Sequence, residues 1–425
     1  MSNYKLGTKC IQSGYSPKNG EPRILPIYQS TTYAYDSADT LGELFDLKVE
    51  GHMYSRISNP TVACVEAKIA DLEGGVGAMC TSSGQAASLL AVLNIASEGQ
   101  NILVSSAIYG GTLNLFAVTL KRLGIEARFF TPELTDEEVQ SLIDDKTRLV
   151  FGETVANPVL KVFDIERYAK IAHKNKIPLI VDNTFATPIF CRPFEFGCDI
   201  VIHSTTKYMD GHAAVIGGVI VDSGKFDWEG SCKYPELTEP DESYHGVVYT
   251  ENFKEAAYIT KARVQLMRDL GSTPQPMAAF LLNLGLETLE LRMERHYSNA
   301  LKTADFLKND SRISWVNYPM LKDSDQYELA SKYLKGCGGV ISFGIKGGRE
   351  AAVEFMDSLE LIKIVVHVAD SRTSVLHPAS TTHRQLTSQQ LTDAGIGEDL
   401  IRLSVGTEDS EDIIADIKQA LDKLD

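Results

Sequence analysis

Pro178-Leu179-Ile180-Val181-Asp182 and, further on, Asp199-Ile200-Val201-Ile202-His203-Ser204-Thr205-Thr206-Lys207 are the stretches on which the fold turns. Each is a short unbroken apolar run that stops at polar or ionisable side chains. Such a run predicts a strand buried on both faces, as in a parallel sheet covered by helices. Upstream, Val76 to Cys80, Asn101 to Ser105 and Leu149 to Gly152 predict further strands, and Ala86 to Ala96 and Leu113 to Leu123 predict helices. Thr135 with Glu138 is a capping box ahead of one helix, and Asp164 is placed to cap Ile165 to Lys174. Alternating strands and helices specify an α/β domain with a mainly parallel sheet, whose ligands belong outside the carboxyl ends of the strands.

Either side of this region the pattern changes. Gly14, Pro17, Gly20, Pro22, Pro26 and Pro60 break up the first sixty residues, which read as an extended arm, 1–60. The α/β region occupies 61–265 and includes Pro235 to Tyr249, a polar, acidic and aromatic stretch that reads as a loop. Helical periodicity then runs to about Leu307. Strands at Gly339 to Ile345 and Ile401 to Val405 and a closing helix through Ile413, Ile417 and Leu421 predict a smaller α+β domain, 266–425. No repeat of solenoid period is present.

The 425 residues are 44% hydrophobic and 23% charged, the balance of a folded globular protein. With 41 Lys and Arg against 57 Asp and Glu, the net charge of −16 opposes attraction to nucleic acid or anionic lipid. No apolar run approaches the roughly 18 residues of a membrane span. Met1 to Cys10 lacks the basic-then-apolar pattern of a signal peptide. The seven cysteines are scattered without a Cys-x-x-Cys pair, so reduced thiols in a cytoplasm are expected, with no disulfide framework and no metal site.

There is no Gly-x-Gly-x-x-Gly opening a helix, Walker loop, His-Glu-x-x-His or Gly-x-Ser-x-Gly elbow. What remains is a set of residues at strand ends. A lysine such as Lys207 is ordinarily a solvated cation; to form a Schiff base it must be desolvated or set beside other cations. Ser204 and Thr206, with the backbone N–H groups of Ser83-Gly84-Gln85 at a helix start, suit a phosphate, although that turn also reads as a plain βα connection. Asp182 reads either as an Asx turn with Asn183 or as the carboxylate that keeps a pyridine nitrogen protonated. Tyr109 is a core aromatic or a ring stacked on a planar cofactor. Arg402, among apolar neighbours inside a strand, needs an anionic partner, which a substrate carboxylate supplies.

Taken together, these segments resemble the pyridoxal-phosphate-dependent enzymes of cysteine and methionine metabolism, the family of cystathionine lyases and synthases, methionine γ-lyase and O-acetylhomoserine sulfhydrylase. The resemblance spans nearly the whole chain. It is carried by Tyr54-Ser55-Arg56 with Asn59-Pro60-Thr61, Ser83-Gly84-Gln85-Ala86, Tyr109-Gly110-Gly111, Glu153 to Pro158, Val181-Asp182-Asn183-Thr184, His203 to Tyr208, His377-Pro378-Ala379-Ser380 and Arg402-Leu403-Ser404-Val405-Gly406. It implies a PLP-dependent transferase fold of the aspartate aminotransferase type (fold type I) and the cofactor pyridoxal 5'-phosphate. Carried onto this sequence, it makes Lys207 the Schiff-base lysine and Asp182 the partner of the pyridine nitrogen. Tyr109 would stack on the ring, with Asn157 near its phenolic oxygen. Ser83, Gly84, Gln85, Ser204 and Thr206 would bind phosphate, Tyr54 and Arg56 would reach the phosphate of a neighbouring subunit, and Arg402 would hold the substrate carboxylate.

Within the family the likeness is to the O-acetylhomoserine sulfhydrylase branch. It rests on the Pro235 to Tyr249 insertion, on Gly111 where methionine γ-lyases usually have cysteine, and on Thr381 where they usually have methionine. The reaction so implied is γ-replacement on O-acetyl-L-homoserine by sulfide or methanethiol, with Tyr109 assisting the leaving group as an acid. The alternative is lyase or cystathionine-type chemistry. A homo-oligomer is implied, a homotetramer of dimers that share active sites. Asp210 and His367 to Arg372 depart from the family's pattern, in regions expected to line the substrate pocket.

Overall fold

The computed structural model describes residues 4–381, 384 and 397–424. Its central sheet has seven strands: β1 (Gly77–Thr81), β2 (Asn101–Ser105), β3 (Glu126–Phe130), β4 (Thr147–Glu153), β5 (Leu179–Asp182), β6 (Ile200–His203) and β7 (Gly218–Asp222). They lie in the order β1-β7-β6-β5-β4-β2-β3, and only β7 runs against its neighbours.

The apolar runs are continuous because alternate side chains enter two different cores. Ile200 and Ile202 of β6 and Ile180 of β5 join one cluster, with Leu90 and Tyr258. Val201 of β6 and Leu179 and Val181 of β5 join the other, with Leu282 and Val405. All six strand residues are fully buried, each stabilising the fold by about 1.5–3 kcal/mol. Truncating Ile202 to alanine is expected to cost about 2–5 kcal/mol.

A second sheet, β8 (Ile313–Asn317), β9 (Val340–Ile345), β10 (Lys363–Ile364), β11 (Ser374–Leu376) and β12 (Leu400–Ser404), is ordered β10-β11-β12-β9-β8 and mostly antiparallel. The architecture is thus α/β with a mainly parallel central sheet and a second small sheet. Both the Thr135–Glu138 capping box and the Asp164 cap are formed.

Two stretches differ from expectation. The arm contains a helix at Leu6–Gln12 and another at Ala38–Phe45, the latter capped by the Ser37 hydroxyl, which accepts from Thr40 N–H. Residues 235–249 are not a plain loop: they hold short helices at Pro235–Thr238 and Glu242–Tyr244, because Leu237, Tyr244 and Tyr249 are buried in the sheet's helical layer. β3 and β7 were not legible. Gly217 precedes β7 and Gly218 opens it, and β3 carries Glu126 and Arg128 at an edge. No helix among the described residues is long and apolar enough to cross a membrane. The seven cysteines are all unpaired.

Candidate active site

β4, β5 and β6 run parallel, so Glu153 and Asp182 end as neighbours, with Asp182 opposite Ile202. The chain leaving β6 turns through Ser204-Thr205-Thr206 to Lys207. β1 and β6 flank β7 and share a direction, so the chain leaving β1 delivers Ser83-Gly84-Gln85 to the same edge. The contact is close: a Cβ on Gly84 would stand 2.6 Å from Ser204 Cβ, so no other residue lets the helix Gly84–Leu93 start there. Ser83 caps that helix, its hydroxyl accepting from Ala86 N–H at 3.1 Å.

These ends open on a cleft of about 370 Å³. Ser83, Gly84, Gln85, Tyr109, Asn157, Asp182, Ser204, Thr206, Lys207 and Arg402 all line it. Tyr54 and Arg56 do not. Tyr54 is 40% exposed, with the Arg56 guanidinium 5.2 Å from its ring centroid and also bonded to the Arg268 carbonyl. Arg402 reaches the cleft from β12 of the second sheet, donating to Asn157 Oδ1 (3.4 Å) and to the Val366 carbonyl (3.1 Å). The loop after Lys207 is pinned by Arg292, which donates to the Tyr208 carbonyl at 2.6 Å.

Burial and the Arg402 charge bring the Lys207 amine down to about 8, with Asp370 opposing them. The sequence reading had required this of a nucleophilic lysine. Burial also lowers Arg402 to about 10, and its Nε has no partner. Asp182 is raised by burial, but Thr184 donates to it from its N–H (3.0 Å) and its hydroxyl (2.5 Å) and opposes the rise, as does the nearby His203. Glu153 is pushed well up by burial and by the Asp182 charge, while one of its oxygens accepts from Tyr109 N–H at 2.7 Å. Behind Asp182, His203 Nε2 meets Glu73 Oε1 at 2.6 Å, both side chains fully buried.

Sequence reasoning gave no role to Glu153 or Thr184, which also line the cleft, while His367, in the segment expected at the substrate pocket, does line it. The strand-end rule was available for Glu153, one residue beyond a predicted strand. Asp210 does not itself line the cleft: that side chain is buried, and its Oδ2 accepts from His212 and Ala214 N–H as the cap of a turn. Thr382 and His383, which follow Thr381, lie outside the described residues.

Comparison with known proteins gives the same picture. The model of the Cys/Met metabolism PLP-dependent enzymes matches residues 7–422. O-acetyl-L-homoserine sulfhydrylase 1 of Thermus thermophilus is 47% identical over 423 residues, 98% of this chain and all of that protein. Homocysteine/cysteine synthase of Kluyveromyces lactis is 47% identical over 93% of this chain and 92% of its own length. A crystal structure of a Campylobacter jejuni protein, assigned as an O-acetylhomoserine (thiol)-lyase and carrying a pyridoxyl-lysine monophosphate, superposes with a TM-score of 0.95 at 37% identity. It covers 99% of this chain and all of that one.

The residues present suit such a cofactor. Gln85 Oε1 and Arg402 Nε are buried polar atoms without partners, and the first turn of the helix Gly84–Leu93 faces the Ser204 and Thr206 hydroxyls across one cleft. A carboxylate, a half-exposed phenol and a low-pKa amine surround the same space.

Proposed function

The chain belongs to the Cys/Met metabolism PLP-dependent enzymes, and from that membership we propose that it catalyses γ-replacement on O-acetyl-L-homoserine by sulfide, giving homocysteine and acetate. The observation that carries this is the match, along essentially the full length of both chains, to an O-acetyl-L-homoserine sulfhydrylase.

Pyridoxal 5'-phosphate, when bound, supplies the electron sink that acidifies the Cα–H and Cβ–H bonds of the amino acid. Helix-start N–H groups at Gly84 and Gln85, with the Ser204 and Thr206 hydroxyls, would hold its phosphate. Asp182 would face the ring nitrogen, Asn157 the phenolic oxygen and Tyr109 a ring face. Ser83 holds the turn that presents these groups.

Arg402 binds the substrate carboxylate, its unpartnered Nε being spare donor capacity for a bidentate pair. Lys207, once freed by the substrate amine, removes the Cα proton and then a Cβ proton, a task suited to an amine near neutrality. The Tyr109 hydroxyl donates a hydrogen bond to the departing acetyl oxygen. A phenol is a far weaker acid than acetic acid and does not hand its proton to the leaving carboxylate, so acetate leaves as the anion. Gly111 keeps this geometry: a Cβ there would lie 2.5 Å from the Tyr109 ring and 2.6 Å from Gln85 Nε2.

Oligomer and location belong to the same reading. Tyr54 and Arg56 serve the cleft of a second copy, supported by their place outside their own cleft and by the exposed Ile24, Tyr28 and Phe45 along the same arm. The assembly is a tetramer built from two such dimers, in the cytoplasm, where seven unpaired cysteines remain reduced.

The test is mass-spectrometric product analysis of the cofactor-loaded protein given O-acetylhomoserine with sulfide. Homocysteine as the main product supports replacement. Predominant 2-oxobutyrate, formed when water wins, overturns it in favour of a lyase.

A further inference from the structure

His367 is, among the described residues, the one histidine that lines the cleft. Its segment lies over Arg402, whose guanidinium donates to the Val366 carbonyl, and is fixed just beyond by Ala369 N–H donating to Ser404 Oγ at 2.8 Å. The imidazole is largely buried, its side chain 19% exposed, and its Nε2 lies 3.7 Å from Asp370 Oδ2, too far for a hydrogen bond. A proton-accepting group is thus held at the substrate end of the cleft with no structural bond to keep.

The proposed reaction leaves one proton without a home. Acetate departs with the electron pair of the Cγ–O bond and takes no proton. The Cα and Cβ protons are removed and returned, through Lys207. The S–H proton of the acceptor is not returned to any carbon. Asp182 and Glu153 are engaged by Thr184 and by Tyr109 N–H, and Tyr109 keeps its own proton. We propose that His367 is a catalytic residue of this reaction, the base that takes the S–H proton of the incoming sulfide or thiol. This rests on the γ-replacement reading above. The Asp370 charge, 3.7 Å from Nε2, favours the neutral ring's proton on that nitrogen, leaving Nδ1 as acceptor. As an electron pair of sulfur forms the S–Cγ bond, the π bond between Cβ and Cγ breaks, its pair taking up the proton that Lys207 returns to Cβ; the S–H bond breaks with its pair left on sulfur, and the proton passes to Nδ1.

The groups facing this ring come from four places: Lys207 after β6, Arg402 on β12, Asp210 in the following turn and Asp370 on its own segment. Burial and the two cations outweigh the two carboxylates and lower the imidazole's proton affinity, so it is neutral at neutral pH.

His367→Gln and His367→Asn, checked for folding by thermal melting and by the cofactor's dissociation constant, test the assignment. The expected result is a fall of about 10²-fold in kcat/KM for the acceptor, with kcat/KM for O-acetylhomoserine within about twofold of wild type. The loss should be larger for weakly acidic thiols than for those already ionised at the assay pH. Independently of turnover, NMR of ¹³C-histidine-labelled apoprotein, with the His367 signal assigned by its loss in His367→Gln, should show an imidazole titrating below the free value near 6.5. Equal losses for both substrates, a loss indifferent to thiol acidity, or an imidazole titrating above the free value overturns the proposal. Wild type yielding only 2-oxobutyrate overturns the replacement reading beneath it; homocysteine made with undiminished acceptor kinetics by both variants overturns this proposal alone.

Discussion

Glu153 and Asp182 stand opposite each other in register at the carboxyl ends of β4 and β5, Glu153 buried and Asp182 partly buried, both lining one cleft. Two carboxylates so placed resist ionising together. Glu153 is the more strongly raised, while Thr184 and His203 help Asp182 keep its charge. Glu153→Gln should therefore keep cofactor affinity and turnover within about tenfold at neutral pH, whereas Asp182→Asn should lose turnover by about 10² or more. Comparable losses in the two variants, by fluorescence titration and steady-state assay, would remove the division of labour.

Lys207→Ala should abolish turnover and leave no pyridoxyl adduct after borohydride reduction, as read by peptide mass spectrometry. Because the amine lies near 8, the rate of cofactor capture by the wild-type apoprotein should rise as pH increases through that value. An adduct trapped on another lysine would refute the assignment.

Arg402→Ala should act mainly on substrate binding. A lost charged hydrogen bond is worth about 1.5–3 kcal/mol, so KM for O-acetylhomoserine should rise roughly tenfold or more. An unchanged KM counts against the carboxylate role.

A site shared between subunits predicts complementation. Arg56→Ala and Lys207→Ala chains, each poorly active alone, should recover activity when unfolded and reassembled together, since one hybrid site receives both native residues. Mixtures no more active than the separate variants would show that Arg56 serves no other copy.

Away from the cleft, burial lifts the Asp222 carboxyl to about 7, and its Oδ2 has no partner. The native state then holds this proton more tightly than the unfolded chain. Its stabilising effect is full below the unfolded carboxyl range, near pH 4, and is lost as pH rises through about 7. Asp222→Asn cannot ionise, so its melting temperature relative to wild type should climb between pH 5 and 8. A difference that stays flat across that range would mean the carboxyl titrates normally.

The strand ends were legible because the signal is local. An apolar run buried on both faces leaves the β region at the first polar side chain, so Asp182 and the Ser204–Lys207 turn announced themselves, and Glu153 stood one residue past a predicted strand. Arg402 was legible as a cation that its own strand leaves unsatisfied. The arm and residues 235–249 were misread in part because their helices are short and depend on burial of a few aromatic and aliphatic residues in distant layers.

By itself, then, the sequence determined the α/β alternation, the helix caps and the chemical identity of the site residues, all of which depend on neighbours a few positions apart. Only the tertiary structure decided that β7 enters reversed between β1 and β6, bringing Gly84 against Ser204. It also opposed Glu153 to Asp182, carried Arg402 in from a second sheet and set His367 beside Asp370 over the cleft. Those relationships join residues far apart in the chain, and pKa, burial and unpaired donors are properties of that juxtaposition, with no local pattern to announce them.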